Sequence, residues 1–187
     1  LAKVDALDPR TLDDIYVGCA EPRDEQGGNM ARRIAVQLGL DNVSAATINR
    51  FCASSVQTAR MAFHAIRSGE GHAFVSAGVE CVSRYRGFGS AGVDPVETHN
   101  PVFATAEQRS LDTALSNQTW HDPREDAVLP DIYIAMGQTA ENVATLRGIS
   151  RAEQDEFGVR SQNLAEKAIA NRIFDPEIAP VTLPDGS

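Results

Sequence analysis

The sequence predicts an α/β fold with a largely parallel sheet. Within the first 80 residues, three short runs rich in β-branched and apolar residues alternate with two segments whose apolar residues recur at helical spacing. A strand–helix–strand–helix–strand order requires crossover connections, which are right-handed and make the strands parallel. The rest of the chain lacks this alternation and ends in two helical patterns, so its character differs from that of the first part.

The first predicted strand covers residues 15–19, a β-branched and aromatic run. A polar loop over residues 21–28 follows, and a helix then ends at Gly39. The apolar residues of that helix are Ala31, Ile34, Ala35 and Leu38. Residues 44–48 are predicted to form the second strand.

The second helix is predicted to begin near Cys52 and to end near Gly69. Its apolar residues recur at spacings of three and four, which places them on one face: Val56, Ala59, Phe63 and Ile66. Residues 72–79 form a compact apolar run, which predicts a third strand that is buried.

The chain changes character after residue 83. Residues 84–130 are rich in glycine and proline and show no clean period, which predicts a long irregular segment that is either functional or disordered. A helix is predicted to begin at Met136 and to stop at Gly148. Ser150 and Glu153 then fit a capping box at the start of the last helix.

Composition excludes several classes of protein. With 187 residues, the chain fits one domain, or one domain with an insertion. Seventeen Lys and Arg stand against 26 Asp and Glu, a net charge of −9, which argues against nucleic acid and anionic membranes as partners. Three cysteines without a C-x-x-C pair or zinc-type spacing predict a reducing compartment and no metal site. We therefore expect a cytoplasmic protein.

Cys52 is the strongest candidate for a chemical role. It lies between a predicted strand and a predicted helix, where the positive end of the helix dipole favours a thiolate. The small residues Ala53, Ser54 and Ser55 after it would let a substrate approach closely. The alternative is a buried structural cysteine in a turn of small residues, since cysteine is among the most buried residue types.

Five segments, in the same order along the chain, resemble the thiolases, the acyl-CoA acetyltransferases. The segment Asn-Arg-Phe-Cys-Ala-Ser-Ser at residues 49–55 resembles the nucleophile segment of that family. Met-Gly-Gln-Thr-Ala-Glu-Asn-Val-Ala at residues 136–144 is similar to another family segment. The other three segments lie at residues 76–83, 149–157 and 177–181, so that the resemblance covers nearly the whole chain.

This resemblance implies a thiolase fold, with a βαβ-rich layered half-domain and an inserted, mostly helical loop domain. Residues 1–83 would form an incomplete N-terminal core, and residues 84–187 the loop domain that covers coenzyme A. Cys52 would be the nucleophile that carries the acyl group as a thioester, and its backbone N–H would donate to the oxyanion. Met136 would line the acyl or pantetheine end of the pocket.

The resemblance also implies acyl-CoA and coenzyme A as substrates, no other cofactor, and a homodimer or homotetramer. The reaction would be ping-pong acyl transfer that makes or cleaves a 3-ketoacyl-CoA such as acetoacetyl-CoA. The family's Gly-His-Pro histidine, its second active-site cysteine and its Asn-Glu-Ala segment do not occur among the 187 residues. We therefore expect the C-terminal thiolase half to lie outside this chain.

Two other classes of function remain open from the sequence. One is a thiolase-like protein that binds acyl-CoA or lipid without turnover, and the other is a structural subunit that completes a partner chain. Cys52 argues against the first, and the absent histidine favours it.

Overall fold

A computed structural model describes residues 4, 6–82, 99–116 and 118–182. The chain divides into two compact units, residues 1–86 and 87–187. The boundary predicted between residues 83 and 84 lies outside the described residues.

The first unit is a three-stranded parallel sheet with helices between its strands. Its elements are β1 (Asp14–Gly18), α1 (Met30–Gln37), β2 (Ser44–Ile48), α2 (Ser54–Ser68) and β3 (Phe74–Gly78). The strand order is β2-β1-β3, and Asp14 of β1 lies opposite Ser44 on one side and Phe74 on the other. The predicted α/β class and parallel sheet are therefore confirmed.

The central strand β1 is buried along nearly its whole length, and it anchors the core. Its alternate residues Ile15 and Val17 pack with Ala31 and Ala35 of α1, which are both fully buried. The start of α1 is fixed by Asn29, which has a left-handed φ of 46° and accepts a hydrogen bond from the backbone N–H of residue 32. This side chain also donates to a backbone carbonyl of β2, and so it ties the helix to the sheet.

The apolar face predicted for α2 is not the face that packs on the sheet. Helix α2 contacts β1 and β3 through small and polar residues: Ser54, Thr58 and Ala65 are 4%, 0% and 5% exposed. Val56, Phe63 and Ile66 of the predicted apolar face are 71%, 59% and 48% exposed. A physical reason is the close approach of helix and sheet, which leaves room for small side chains only.

The third strand is shorter and less buried than predicted. It covers Phe74–Gly78 instead of residues 72–79, and its last three residues are exposed. Among the described residues β3 pairs with β1 alone, so it is an edge strand, and one long side of it has no neighbour there.

The second unit is helical where it is described. Its helices are α3 (Ala104–Ser116), α4 (Met136–Arg147) and α5 (Arg151–Ala170). Helix α4 ends at Gly148, which has a left-handed φ of 65°, and α5 begins with the capping box of Ser150 and Glu153, so both of these predictions are confirmed. Within the described ranges, no helix is long and apolar enough to span a membrane.

Helix α3 corrects the prediction of an irregular segment over residues 84–130. The chain enters it through Asn100, which accepts a hydrogen bond from the backbone N–H of residue 102, and through Pro101 at the start of a short 3₁₀ turn. The residues that follow are mostly strong helix formers, with neither glycine nor proline before Pro123. The richness in glycine and proline around this stretch concealed the helix.

Candidate active site

Cys52 lies at the carboxyl edge of the parallel sheet. It is the middle residue of a short 3₁₀ turn, Phe51–Ala53, which joins the end of β2 to the first residue of α2, Ser54. The loop after β1 leads to α1, which packs on the face of Ile15 and Val17, whereas the loop after the neighbouring β2 leads to α2, which packs on the opposite face at Gly18. In open α/β sheets, ligands bind at the point where connections diverge in this way.

An open pocket of about 380 Å³ surrounds the thiol. Its walls come from the ends of β1 and β3, from the residues just beyond them, and from the start of α2: Gly18, Ala20, Phe51, Cys52, Ser54, Ser55, Gly78, Val79 and Glu80. A Cβ on Gly18 would lie 2.8 Å from the backbone carbonyl carbon of Ser54, and one on Gly78 would lie 2.3 Å from the hydroxyl oxygen of Ser55. Glycine at both strand ends therefore lets the start of α2 approach the sheet.

The turn that carries Cys52 is strained and tightly hydrogen-bonded. Phe51 has a left-handed φ of 46°, which is costly for a bulky residue. Three hydrogen bonds hold it there. The backbone N–H of Phe51 donates to Asn49 Oδ1 at 2.8 Å, the Ser54 hydroxyl donates to the Phe51 carbonyl at 2.6 Å, and the backbone N–H of Arg50 donates to Ser54 Oγ at 2.9 Å.

The three thiols differ in their surroundings. The Cys52 thiol is exposed, that of Cys81 is half-buried, and that of Cys19 is buried in the core. Burial, aided by a hydrogen bond to the Glu80 carboxylate, raises the pKa of Cys19 to about 11. Reactive cysteines are partly exposed, so accessibility favours Cys52 as the nucleophile and makes Cys19 a packing residue.

Met136, the second residue predicted from the sequence, belongs to the other unit. It is the first residue of α4, and it is 76% exposed. The residue before it, Ala135, caps the helix without a side-chain hydrogen bond. The roles of Cys52 as the acyl carrier and of Met136 as a pocket residue stay predictions.

Several residues of the site were not predicted from the sequence. Ser54 was considered for its small size alone, although it clamps the strained turn. Glu80 and Gln26 attracted no functional prediction, although both bind the chain beside the pocket. No local pattern signals these contacts, because Ala20 lies 60 residues from Glu80, and Cys81 lies 55 residues from Gln26. Across the described ranges, no group of three or more His, Cys, Asp or Glu side chains could hold a metal ion.

Fold and site together define an α/β protein that presents an exposed thiol on a strained strand-to-helix turn, an arrangement suited to covalent nucleophilic catalysis. Comparison with known proteins makes the assignment more specific. A sequence model for the thiolase N-terminal domain matches residues 1–187. The chain belongs to the thiolase family, and it corresponds to the N-terminal domain of that family.

Three of the similar curated proteins are thiolases from bacteria. A "3-ketoacyl-CoA thiolase" of Bacillus subtilis is 36% identical over 91% of this chain and 37% of its own length. A "3-oxoadipyl-CoA/3-oxo-5,6-dehydrosuberyl-CoA thiolase" of Escherichia coli is 34% identical over 95% of this chain and 42% of its own length. A "Beta-ketoadipyl-CoA thiolase" of Pseudomonas knackmussii is 36% identical, with the same coverage of 95% and 42%. The chain thus spans about two fifths of the length of these relatives.

Proposed function

We propose that the protein containing this chain is an acyl-CoA C-acetyltransferase that works by ping-pong acyl transfer through Cys52. Membership of the thiolase family supports this proposal, as do the names of the relatives. The structural observation that carries it is the exposed Cys52 thiol on a strained turn, beside a pocket at the carboxyl edge of the sheet.

In the cleavage direction, the Cys52 sulfur attacks the 3-keto carbon of a 3-ketoacyl-CoA. The bond between C2 and C3 breaks, C2 takes a proton, and acetyl-CoA leaves. The thiol of a second coenzyme A then attacks the Cys52 thioester, releasing a shortened acyl-CoA and a free Cys52. Condensation runs these steps in reverse, with acetylated Cys52 attacked by the C2 carbanion of another acetyl-CoA.

The groups that move protons in this scheme belong to the family's C-terminal half, which carries the Gly-His-Pro histidine and the second cysteine. This chain supplies the nucleophile and, through the Cys52 backbone N–H, one donor to the thioester oxyanion. Coenzyme A enters as a substrate, and no other cofactor is needed. We propose in addition that residues 84–187 cover coenzyme A, with Met136 beside the acyl or pantetheine group, and that the enzyme is a homodimer or homotetramer.

The test is to mix the full natural chain with acetyl-CoA, measure its intact mass, and map the modified peptide. We expect one acetyl group on Cys52 in the wild-type protein and in Cys81→Ser, which is the matched control. We expect none in Cys52→Ser. Release of the acetyl group on addition of free coenzyme A would show the second half-reaction.

Two results would contradict the proposal. If acetyl-CoA binds but Cys52 stays unmodified, the protein is a binding protein without turnover. If acetyl-CoA neither binds nor reacts, the structural-subunit alternative replaces the enzyme.

A further inference from the structure

Two polar side chains tie the loop after β1 to the residues just beyond β3, at the edge of the Cys52 pocket. The Glu80 carboxylate accepts the backbone N–H of Ala20 and hydrogen-bonds to the Cys19 thiol. Ala20 and Glu80 both line the pocket that contains Cys52. One wall of that pocket is therefore closed by a contact between a side chain and a distant stretch of backbone.

Gln26 makes the second tie. Its side chain is buried, with the residue 7% exposed. Its Oε1 accepts the backbone N–H of Cys81 at 2.6 Å, and its Nε2 donates to the carbonyl of Glu21 at 3.0 Å. The amide oxygen thus binds the chain just beyond β3, and the amide nitrogen binds the loop after β1. Burying an amide costs free energy unless it is hydrogen-bonded, so these two bonds are what makes a glutamine tolerable here.

These side-chain hydrogen bonds hold the chain beyond the ends of the paired strands. The backbone N–H of Val79 donates to the Gly18 carbonyl at 3.0 Å, and the paired residues of β1 and β3 end at Gly18 and Gly78. Past that point, the pocket wall is held by side chains. We call Gln26 and Glu80, with these hydrogen bonds, the loop brace.

We propose that Gln26 and Glu80 are positioning residues: the loop brace fixes the wall of the pocket formed by Ala20 and Glu80, and thereby sets the rate at which Cys52 accepts an acyl group. The inference rests on the proposed function, because it takes the Cys52 pocket to be the site of acyl transfer. A displaced wall would shift the bound substrate relative to the Cys52 thiol, and a misplacement of about 1 Å can slow a reaction by up to ~100-fold. We therefore expect the brace to affect the acylation rate more than the substrate affinity.

The experiment measures single-turnover acylation of Cys52 in the full natural chain at a series of acyl-CoA concentrations. This gives a maximal rate and a half-saturating concentration for each variant. Glu80→Leu and Gln26→Leu remove the hydrogen bonds, whereas Glu80→Gln keeps an oxygen that can accept the Ala20 N–H. Gln37→Leu, at an exposed position at the end of α1, is the matched control.

We expect both leucine variants at the brace to lower the maximal rate about 10-fold, with the half-saturating concentration changed less than about twofold. Glu80→Gln should recover the rate to within about threefold of the wild type, and Gln37→Leu should match it. Hydrogen exchange should show faster exchange in residues 19–28 of the leucine variants, with α2 unchanged, which separates a local effect from general unfolding.

Three outcomes would overturn the proposal. Leucine variants with wild-type rates would show that the brace positions nothing. A change confined to the half-saturating concentration would mean that Glu80 contacts the substrate directly. A Glu80→Gln rate as low as that of Glu80→Leu would show that charge, and not hydrogen bonding, matters. A wild-type protein that is never acylated is a different result, because it contradicts the proposed function itself.

Discussion

Substitution of Ser54 by alanine tests whether this serine holds the strained turn before Cys52. The Ser54 side chain is buried, donates to the carbonyl of Phe51 at 2.6 Å and accepts the backbone N–H of Arg50 at 2.9 Å. Each such bond contributes about 1 kcal/mol net, and relaxation of the strained turn recovers about 1 kcal/mol, so Ser54→Ala should lower the free energy of unfolding by about 1 kcal/mol. The turn should then relax, because the left-handed φ of Phe51 costs about 1–2 kcal/mol without support.

A double-mutant cycle with Phe51→Gly isolates this effect. Glycine adopts a left-handed φ without a steric penalty, so the turn needs less support in that background. No strain is released there when Ser54 is removed, so Ser54→Ala should cost about 1 kcal/mol more when residue 51 is glycine. Ser55→Ala, the same chemical change at the exposed neighbouring residue, should cost less than about 0.5 kcal/mol.

The assay is urea unfolding of the full natural chain in all four combinations, together with the rate of Cys52 acylation. We expect Ser54→Ala to slow acylation about 10-fold, because the thiol loses its fixed position. An equal cost of Ser54→Ala in both backgrounds would refute the coupling between Ser54 and Phe51. A wild-type acylation rate in Ser54→Ala would show that the strain does not serve to position the thiol.

Three further predictions concern backbone packing, acid stability and thiol reactivity. Gly18→Ala should destabilise the first unit by about 2 kcal/mol in urea unfolding, because the new methyl group meets the backbone of α2. Gly158→Ala, in the open middle of α5, should instead stabilise the protein by up to about 1 kcal/mol. Two backbone N–H groups just before β3 donate to the Asp13 carboxylate and lower its pKa in the folded protein. The stability that Asp13 contributes is therefore complete above the unfolded pKa of about 3.9, and it is lost as the pH falls through the lower folded pKa. Asp13→Asn should therefore flatten the fall in stability below about pH 4, and an unchanged acid profile would contradict this. Iodoacetamide at pH 8 should label Cys52 well before Cys19, because Cys19 is buried and only about one thousandth of it is ionised at that pH. Equal labelling of the two cysteines in mapped peptides would argue against a buried Cys19.

The order and type of the elements in the first unit could be predicted because local signals there agree with one another. β2 occupies residues 44–48 as predicted, and α2 ends one residue before Gly69, which has a left-handed φ of 81°. In the second unit, the capping box at Ser150 was equally informative. Helix stops, caps and β-branched runs act over a few residues, so a single sequence contains them in full.

Helix α3 was missed for a different reason. The signals for its start, Asn100 and Pro101, are present in the sequence, and they are the same kind of signal that located α5. The surrounding glycine and proline residues suggested one irregular segment from 84 to 130, although none falls between Pro101 and Pro123. A local start signal is therefore better evidence for a helix than average composition over a long window.

The choice of the buried face of α2 and the unpredicted parts of the site have a common physical origin. Helical periodicity shows that Val56, Phe63 and Ile66 share a face, but it does not show which layer that face meets. The inward face is set by Gly18 and Gly78, whose missing side chains let α2 approach the strand ends so closely that Ser54 and small neighbours must lie between.

That approach also creates the candidate site. It brings the start of α2 against the strand ends, so that the connection from β2 must turn sharply, with Phe51 in a left-handed conformation and Ser54 bonded to both sides of it. Contacts between residues more than twenty positions apart in sequence thus decide both which face of α2 is buried and how Cys52 is presented. A single-sequence pattern identifies the cysteine, whereas the strain and the clamp around it follow from the packing of the sheet.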